Sequence, residues 1–120
     1  RVLGQDHEDT LSSMNDLGLI LQDKGKWQEA EKMHTQVLNA RRRVLGQEHE
    51  DTLRSMNNLA GVLQTQGKWQ TAAGMHAEVL KARRRLLGQN HKYTLSSMNN
   101  LACVLQQLGK WQEAEEMHTE

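Results

Sequence analysis

Residues 55–72 read SMNNLAGVLQTQGKWQTA, and this stretch decides the fold because nearly all of it occurs twice more. Residues 13–30 read SMNDLGLILQDKGKWQEA, and residues 97–114 read SMNNLACVLQQLGKWQEA. The tryptophan near the end of each copy recurs every 42 residues, at Trp27, Trp69 and Trp111. A fixed period of this length is typical of stacked helical units. We therefore expect one domain over residues 1–120, with about three repeats, as a piece of a longer array.

The apolar residues in the first half of each repeat have the spacing of one helix face. In the second copy Leu53, Met56, Leu59 and Leu63 fall at i, i+3, i+6 and i+10, which predicts an amphipathic helix, named helix A. The same face in the other copies consists of Leu11, Met14, Leu17, Gly18 and Leu21, and of Leu95, Met98, Leu101, Ala102 and Leu105.

Both ends of helix A carry recognisable signals. Acidic pairs, Glu8-Asp9 and Glu50-Asp51, stand at the start in the first two copies and favour a helix N-terminus, whereas the third copy has Lys92-Tyr93. Each copy of helix A is followed by a glycine, which tolerates the left-handed backbone conformation that closes a helix. These glycines are Gly25, Gly67 and Gly109.

A second helix, named helix B, follows each glycine. Trp69, Ala72, His76 and Val79 mark its apolar positions in the second copy. Helix B ends in three arginines, at 41–43 and 83–85, where cations complement the negative helix end. We interpret these arginines as helix-end and solvated surface residues, because no exposed aromatic residues lie among them as in a single-strand nucleic-acid site. The helix pairs are expected at about 8–45, 50–87 and 92–120.

Small residues stand where the two helices of each pair must approach closely. They are Gly18, Ala60 and Ala102 in helix A, and Ala30, Ala72 and Ala114 in helix B. A large side chain at these positions would push the helices apart. The sequence therefore predicts an all-α, right-handed superhelical solenoid of antiparallel helix hairpins, with helices A on the concave side.

These features closely resemble the tetratricopeptide repeat, in which leucine and a small residue stand together in helix A and alanine follows the turn in helix B. Leu59-Ala60, Leu63 and Ala72 occupy those positions. The Leu-Gly-Gln-x-His linker and the Gly-Lys-Trp turn are similar to the kinesin light chain type of repeat. Similar arrays end many fungal and bacterial receptor ATPases of the nucleotide-binding-domain (NLR) class. The usual His-Pro-Asp linker is absent here, and histidines replace the large aromatic residue of helix B.

The resemblance implies a protein- or peptide-binding module, serving as the sensor or scaffold array of a larger cytosolic protein. In this family ligands usually lie along the concave groove that helix A builds. Matching the pattern residue by residue gives Ser12, Asn15, Asp16 and Leu19; Arg54, Asn57, Asn58, Gly61 and Gln64; and Ser96, Asn99, Asn100, Cys103 and Gln106. The same face includes Gln22, Asp23, Thr65 and Gln107.

Two roles remain open for Asn15, Asn57 and Asn99. Side-chain amides donate and accept hydrogen bonds at once, so they are able to hold the main chain of an extended peptide. They are equally able to bond the neighbouring helix and fix repeat stacking. Arg54 is the single cation on this stripe and favours an acidic or carboxylate-bearing ligand near its centre. Because the places of the family's carboxylate clamp carry no cation, we do not expect that clamp; these places are Asn15, Leu19, Asn58, Ser96 and Asn100.

Composition argues against several functions. Fifteen Lys and Arg residues balance fifteen Asp and Glu residues, which disfavours a nucleic-acid or anionic-membrane partner. No apolar run is long enough to span a bilayer, and no secretion signal is visible. The lone Cys103 has no partner for an internal disulfide and fits a reducing, cytoplasmic location.

The sequence offers no catalytic or metal site. Its six histidines recur once per repeat in two sets, His7, His49 and His91 and His34, His76 and His118. Equivalent residues in successive hairpins lie too far apart to share a metal ion, so structural roles at linkers and in helix B are expected. No phosphate-binding loop and no evident base for Cys103 are present, so we expect neither an enzyme nor a cofactor.

Both ends of the sequence lack a polar capping helix, so we expect exposed apolar faces there and end-to-end association. This leaves an alternative function: a structural repeat unit, natural or engineered, that stacks on its own copies.

Overall fold

The computed structural model describes residues 8–109, which form five α-helices. They are α1 (Glu8–Asp23), α2 (Trp27–Leu45), α3 (Glu50–Thr65), α4 (Trp69–Leu87) and α5 (Lys92–Gln107). Each helix packs against the next one along the chain. These residues contain no strand, and the predicted all-α helical repeat fold is confirmed. Within the same range, no helix is both long and apolar enough to cross a membrane.

Each hairpin turns on a glycine in the left-handed conformation. After α3, the N–H of Gly67 donates to the carbonyl of Gln64 (3.0 Å), and the N–H of Lys68 donates to that of Leu63 (2.8 Å). These bonds satisfy carbonyls that the helix end leaves open, and they require a residue with positive φ, here 84°. The prediction that glycines end helix A is confirmed, since Gly25 and Gly109 have φ of 79° and 82°.

A histidine caps α3 and α5, the helices that follow the two described linkers. Nδ1 of His49 accepts a hydrogen bond from the backbone N–H of Asp51, and Nδ1 of His91 accepts one from Tyr93, both at 3.0 Å. The ring nitrogen thus does what a serine or aspartate oxygen does at most helix starts. The predicted structural role at the linkers is confirmed for these two histidines, and His7 lies outside the described residues.

The apolar face of helix A is buried to different extents in the three repeats. Leu59 and Val62 of α3 are 5% and 0% exposed, because α2 covers that side of the helix. The equivalent residues of α1, Leu17 and Ile20, are 43% and 51% exposed, since no described helix precedes α1. Leu95 of α5 is also 48% exposed. The prediction of a buried helix A face is therefore wrong for Leu17 and Leu95.

Arg41 and Arg83 are buried, which corrects the interpretation of the arginine triplets as solvated surface. Nη1 of Arg83 donates to Ser97 Oγ (2.8 Å) and to the carbonyl of Tyr93 (3.3 Å), and its Nη2 donates to Glu50 Oε2 (2.6 Å). Arg41 repeats the pattern with Ser55 Oγ (2.8 Å), the Asp51 carbonyl (3.3 Å) and Glu8 Oε2 (2.7 Å). We call each set an arginine latch, because it joins one helix B to the helices A on both sides.

A histidine of helix B is buried inside each of the two described hairpins, His34 in the first and His76 in the second. His34 lies against Gly18, where an added Cβ would come within 2.8 Å of its ring, so the predicted small residue is required at this position. Neither ring nitrogen of His34 or His76 has a hydrogen-bond partner among the described residues. Burial lowers the pKa of both imidazoles, that of His76 to about 4, so both rings are neutral at pH 7.

Candidate functional site

Side chains of α1, α3 and α5 form one surface, named the helix-A surface. Three side-chain hydrogen bonds join neighbouring helices: Asn58 Nδ2 to Asn15 Oδ1 (2.9 Å), Asn100 Nδ2 to Asn57 Oδ1 (3.2 Å) and Gln64 Nε2 to Gln107 Oε1 (3.3 Å). The partners are 43 residues apart in every case, so the three helices run parallel in a constant register. We call this series the amide ladder.

Asn15 and Asn57 take part in repeat stacking, which is one of the two roles left open by the sequence. The second role, hydrogen bonding to the main chain of a peptide, remains open, because a side-chain amide has more donors and acceptors than one bond uses. The Asn15 nitrogen and the Asn58 oxygen make no hydrogen bond within residues 8–109. Asn99 is exposed and has no ladder partner there. The ladder therefore holds the helices in place and still presents donors and acceptors to solvent.

None of the predicted groove residues is buried. Ser12, Asp16, Leu19, Arg54, Ser96, Asn99 and Cys103 are exposed, and Asn15, Asn57, Asn58, Gly61, Gln64, Asn100 and Gln106 are half-buried. At Gly61 an added Cβ would meet nothing within 4 Å, so a ligand has room to approach the backbone there. The helices bring these residues to one surface, and their role in binding stays a prediction.

The charge of the helix-A surface changes from one helix to the next. α1 has four carboxylates and no cation, α3 has two carboxylates and Arg54, and α5 has only Lys92. The net charges of the three helices are therefore −4, −1 and +1, and they become −3, 0 and +1 when Glu8 and Glu50, which the latch arginines neutralise, are left out. Two of the carboxylates of α1, Asp16 and Asp23, are exposed and form no ion pair with a described residue. This gradient is hidden in the whole-chain balance of zero.

Cations surround Tyr93 at the start of α5. The guanidinium carbon of Arg54 lies 5.9 Å from the ring centroid, that of Arg83 5.2 Å, and the Lys92 ammonium 5.6 Å. The only ion pair of Arg54 in the described range, with Asp51, is long at 3.9 Å and contributes little. Sequence reasoning found that Lys92-Tyr93 replaces the acidic pair but missed the cluster, because Arg54 is far away along the chain. Aligning the repeats could have revealed the cluster, because Arg54 and Tyr93 both stand near the start of helix A, in successive repeats.

An apolar cavity of about 580 Å³ lies between α4 and α5, away from the helix-A surface, and Leu80 and Leu101 line it. One repeat earlier, the equivalent leucines Leu38 and Leu59 share a core cluster with Val79 of α4. The residues equivalent to α4 one repeat later lie beyond residue 109, outside the described range. We therefore assign this cavity to the repeat boundary and not to a ligand.

The described residues offer little for chemistry. Between residues 8 and 109, no group of three or more His, Cys, Asp or Glu side chains is placed to hold a metal ion. Cys103 is an exposed free thiol that makes no hydrogen bond to a described residue. The exposed amides of the helix-A surface are able to donate and accept hydrogen bonds.

Comparison with known proteins agrees with the geometry. The tetratricopeptide repeat profile matches residues 9–85 and 51–120. The structure of a Podosopora anserina putative kinesin light chain with nearly identical TPR-like repeats superposes with a TM-score of 0.89 at 31% identity, over 97% of this chain and 55% of that chain. This chain thus spans about half the length of that relative. No curated protein sequence matches significantly.

Two more distant structures show the fold alone. BtubC (BKLC) from P. vanneervenii has a TM-score of 0.87 at 22% identity, over 94% of this chain and 45% of that one. The TPR domain of Arabidopsis FLU has a TM-score of 0.77 at 19% identity, over 91% and 88%. Repeat proteins of this type generally mediate protein–protein interaction or act as scaffolds. With the profile match covering nearly the whole chain and glycine-closed hairpins in a constant register, the chain belongs to the tetratricopeptide repeat family.

Proposed function

We propose that this chain is a protein- or peptide-binding module whose ligand lies in extended form along the helix-A surface. The amide ladder carries the proposal. It places amides with unused donors and acceptors on three parallel helices. Neighbouring helices pack about 8–10 Å apart, which matches about three residues of extended chain. Amides at that interval are able to bond the ligand's main chain whatever its side chains are.

The space over the ladder suits a peptide backbone. Gly61, Cys103 and Leu19 occupy equivalent positions of α3, α5 and α1, and an added Cβ at Gly61 meets nothing. The smallest of the three residues is therefore on the central helix, where a backbone approaches most easily. Leu19 gives one apolar contact at the α1 end, since it is 41% exposed.

The setting that we propose is a larger cytosolic protein, either a kinesin-light-chain-like adaptor or a receptor ATPase with a terminal array. In it, this array recognises the partner and other segments perform any further activity. The support is the likeness to a longer kinesin-light-chain-like chain, about half of which the present chain spans.

A peptide selection tests the proposed surface. We would select binders from a library of random peptides and measure them against Asn58→Ala and, as matched control, Asn39→Ala on the exposed face of α2. Asn58→Ala should weaken binding about fivefold, as expected for one lost hydrogen bond, and Asn39→Ala should leave it unchanged. Thermal melts of both variants separate this loss from the loss of the bond to Asn15. Binders equally sensitive to both variants, or insensitive to Asn58→Ala, would refute the proposed surface.

One observation favours the alternative of end-to-end self-association. Leu17 and Ile20 expose an apolar face of α1 at positions where Leu59 and Val62 of α3 are buried. Light scattering after size exclusion, with a reducing agent to keep Cys103 from oxidising, should then show a mass that rises with concentration. A Leu17→Lys, Ile20→Lys variant should stay monomeric. A wild-type chain that is monomeric at all concentrations removes this alternative.

A further inference from the structure

We propose that the helix-A surface selects an extended ligand of mixed charge, with cationic residues against α1 and carboxylates against the start of α5. The inference rests on the proposed function and adds the charge and direction of the ligand. It is carried by the opposite charges of the two outer helices of one continuous surface.

The cationic part of the ligand would meet Asp16 and Asp23. These residues are seven positions apart, so both lie on the same side of α1, about 10 Å from each other. Both are exposed, and neither is paired with a cation in the described part of the chain. The equivalent residues are neutral in the other two helices: Asn58 and Thr65 in α3, and Asn100 and Gln107 in α5.

The carboxylates of the ligand would meet Arg54 and Lys92, which flank the Tyr93 ring. Lys92 opens α5, where the positive end of the helix dipole adds to its charge. Arg83, the third cation at this ring, is already neutralised by Glu50 in the arginine latch, so it lends little to a ligand. In the first repeat the residues equivalent to Arg54 and Lys92 are Ser12 and Glu8, so α1 has no such site.

The charge difference is concentrated on this surface. From α1 to α3 the net charge rises by three units, from −4 to −1. From α2 to α4, one repeat apart in the other layer, it rises by one, from +2 to +3. Solvent-exposed positions are free to vary in both layers. Among the described helices, however, the net charge changes sign only in the layer of helices A.

The distance between the two charged parts sets the ligand's length. From Asp16 to Lys92 the path crosses two helix spacings, about 18 Å, and moves back eight residues along the axis, about 12 Å. The separation is about 22 Å, which an extended peptide covers in about seven residues.

Four capped nonapeptides test the inference by NMR titration of the isotope-labelled protein at low salt. They are KSKSSSESE, the cationic KSKSSSSSS, the anionic SSSSSSESE and the neutral SSSSSSSSS. The mixed peptide should bind tightest, with each favourable charge giving about two- to fivefold at an exposed site. The cationic peptide should shift amides beside Asp16 and Asp23, and the anionic one should shift those beside Arg54 and Lys92.

The matched variant gives α1 the residues that α3 already carries, Asp16→Asn with Asp23→Thr. It should weaken the mixed peptide about four- to 25-fold and leave the anionic peptide unchanged. Glu78→Gln, which removes an exposed carboxylate from α4, is the control and should change nothing. If all four peptides bind the helix-A surface equally, the charge inference is overturned and the proposed function stands. If none of the peptides shifts the NMR signals of that surface, both the charge inference and the proposed function are wrong.

Discussion

Removal of Arg83, the latch arginine in α4, tests whether the stability of the repeat fold depends on buried polar bonds as well as on apolar packing. Arg83→Ala deletes the donors to Ser97, Tyr93 and Glu50 at once. Loss of one partner of a buried ion pair costs about 3–5 kcal/mol. The Glu50 side chain is 27% exposed and regains part of its hydration, which reduces this cost. We therefore expect the free energy of unfolding to fall by about 3 kcal/mol and the melting temperature to fall by about 10–20 °C.

Arg85→Ala is the matched control for that variant. Arg85 is two residues further along α4 and pairs with Glu48, but both side chains are about half exposed. The loss of such a pair costs about 0–1 kcal/mol. Urea denaturation followed by helical circular dichroism measures both variants, and an unchanged m-value shows that the same surface unfolds. Equal losses for Arg83→Ala and Arg85→Ala would refute the latch, because both changes remove one cation and only Arg83 is buried and bonded to three partners.

Three further predictions concern single side chains. Lowering the pH from 7.5 to 5.5 should destabilise the fold by about 1 kcal/mol through His76, whose pKa of about 4 lies below the unfolded value of 6.5. This stability is complete above pH 6.5 and is lost as the pH falls toward 4, so coincident thermal melts would contradict it. Gly74→Ala on the open face of α4 should stabilise by about 0.5–1 kcal/mol, whereas Gly18→Ala, which meets the His34 ring, should destabilise by about 1–3 kcal/mol. If Gly74→Ala and Gly18→Ala shift the melting temperature in the same direction, this prediction is wrong. His49→Ala should cost about 1 kcal/mol through its lost cap and His49→Asp should restore most of it, which chemical denaturation of both variants checks.

The fold was predictable because local signals and the repeat period agree. The helix A pattern around Leu59, the small residue Ala60 and the turn at Gly67 each act within one hairpin, and each occurs three times. Repetition turns weak local preferences into a reliable prediction, since every copy has to satisfy the same packing. The amide ladder was partly predictable for the same reason, because Asn57 and Asn58 recur at fixed positions.

Features that depend on a neighbouring repeat were not predictable. Arg83 and Arg85 are the same residue type and stand two positions apart, yet only Arg83 reaches the buried Ser97 of the next hairpin. Leu17 matches Leu59 in the repeat pattern but has no described helix to cover it. Burial here is a property of the interface between units, which the period alone does not give.

Near-identical repeats also create a difficulty that the charge gradient resolves. The same asparagine recurs on the three parallel helices at Asn15, Asn57 and Asn99, which offers an extended peptide several equivalent positions, shifted by one repeat from one another. Hydrogen bonds to the ladder do not distinguish these positions, because Asn58 and Asn100 are chemically the same. One exposed ion pair of about 0.2–1 kcal/mol favours one position about two- to fivefold, so two or more pairs are needed to fix a single position. Asp16 and Asp23 at one end, with Arg54 and Lys92 at the other, provide that number, and they would fix the ligand's direction together with its position.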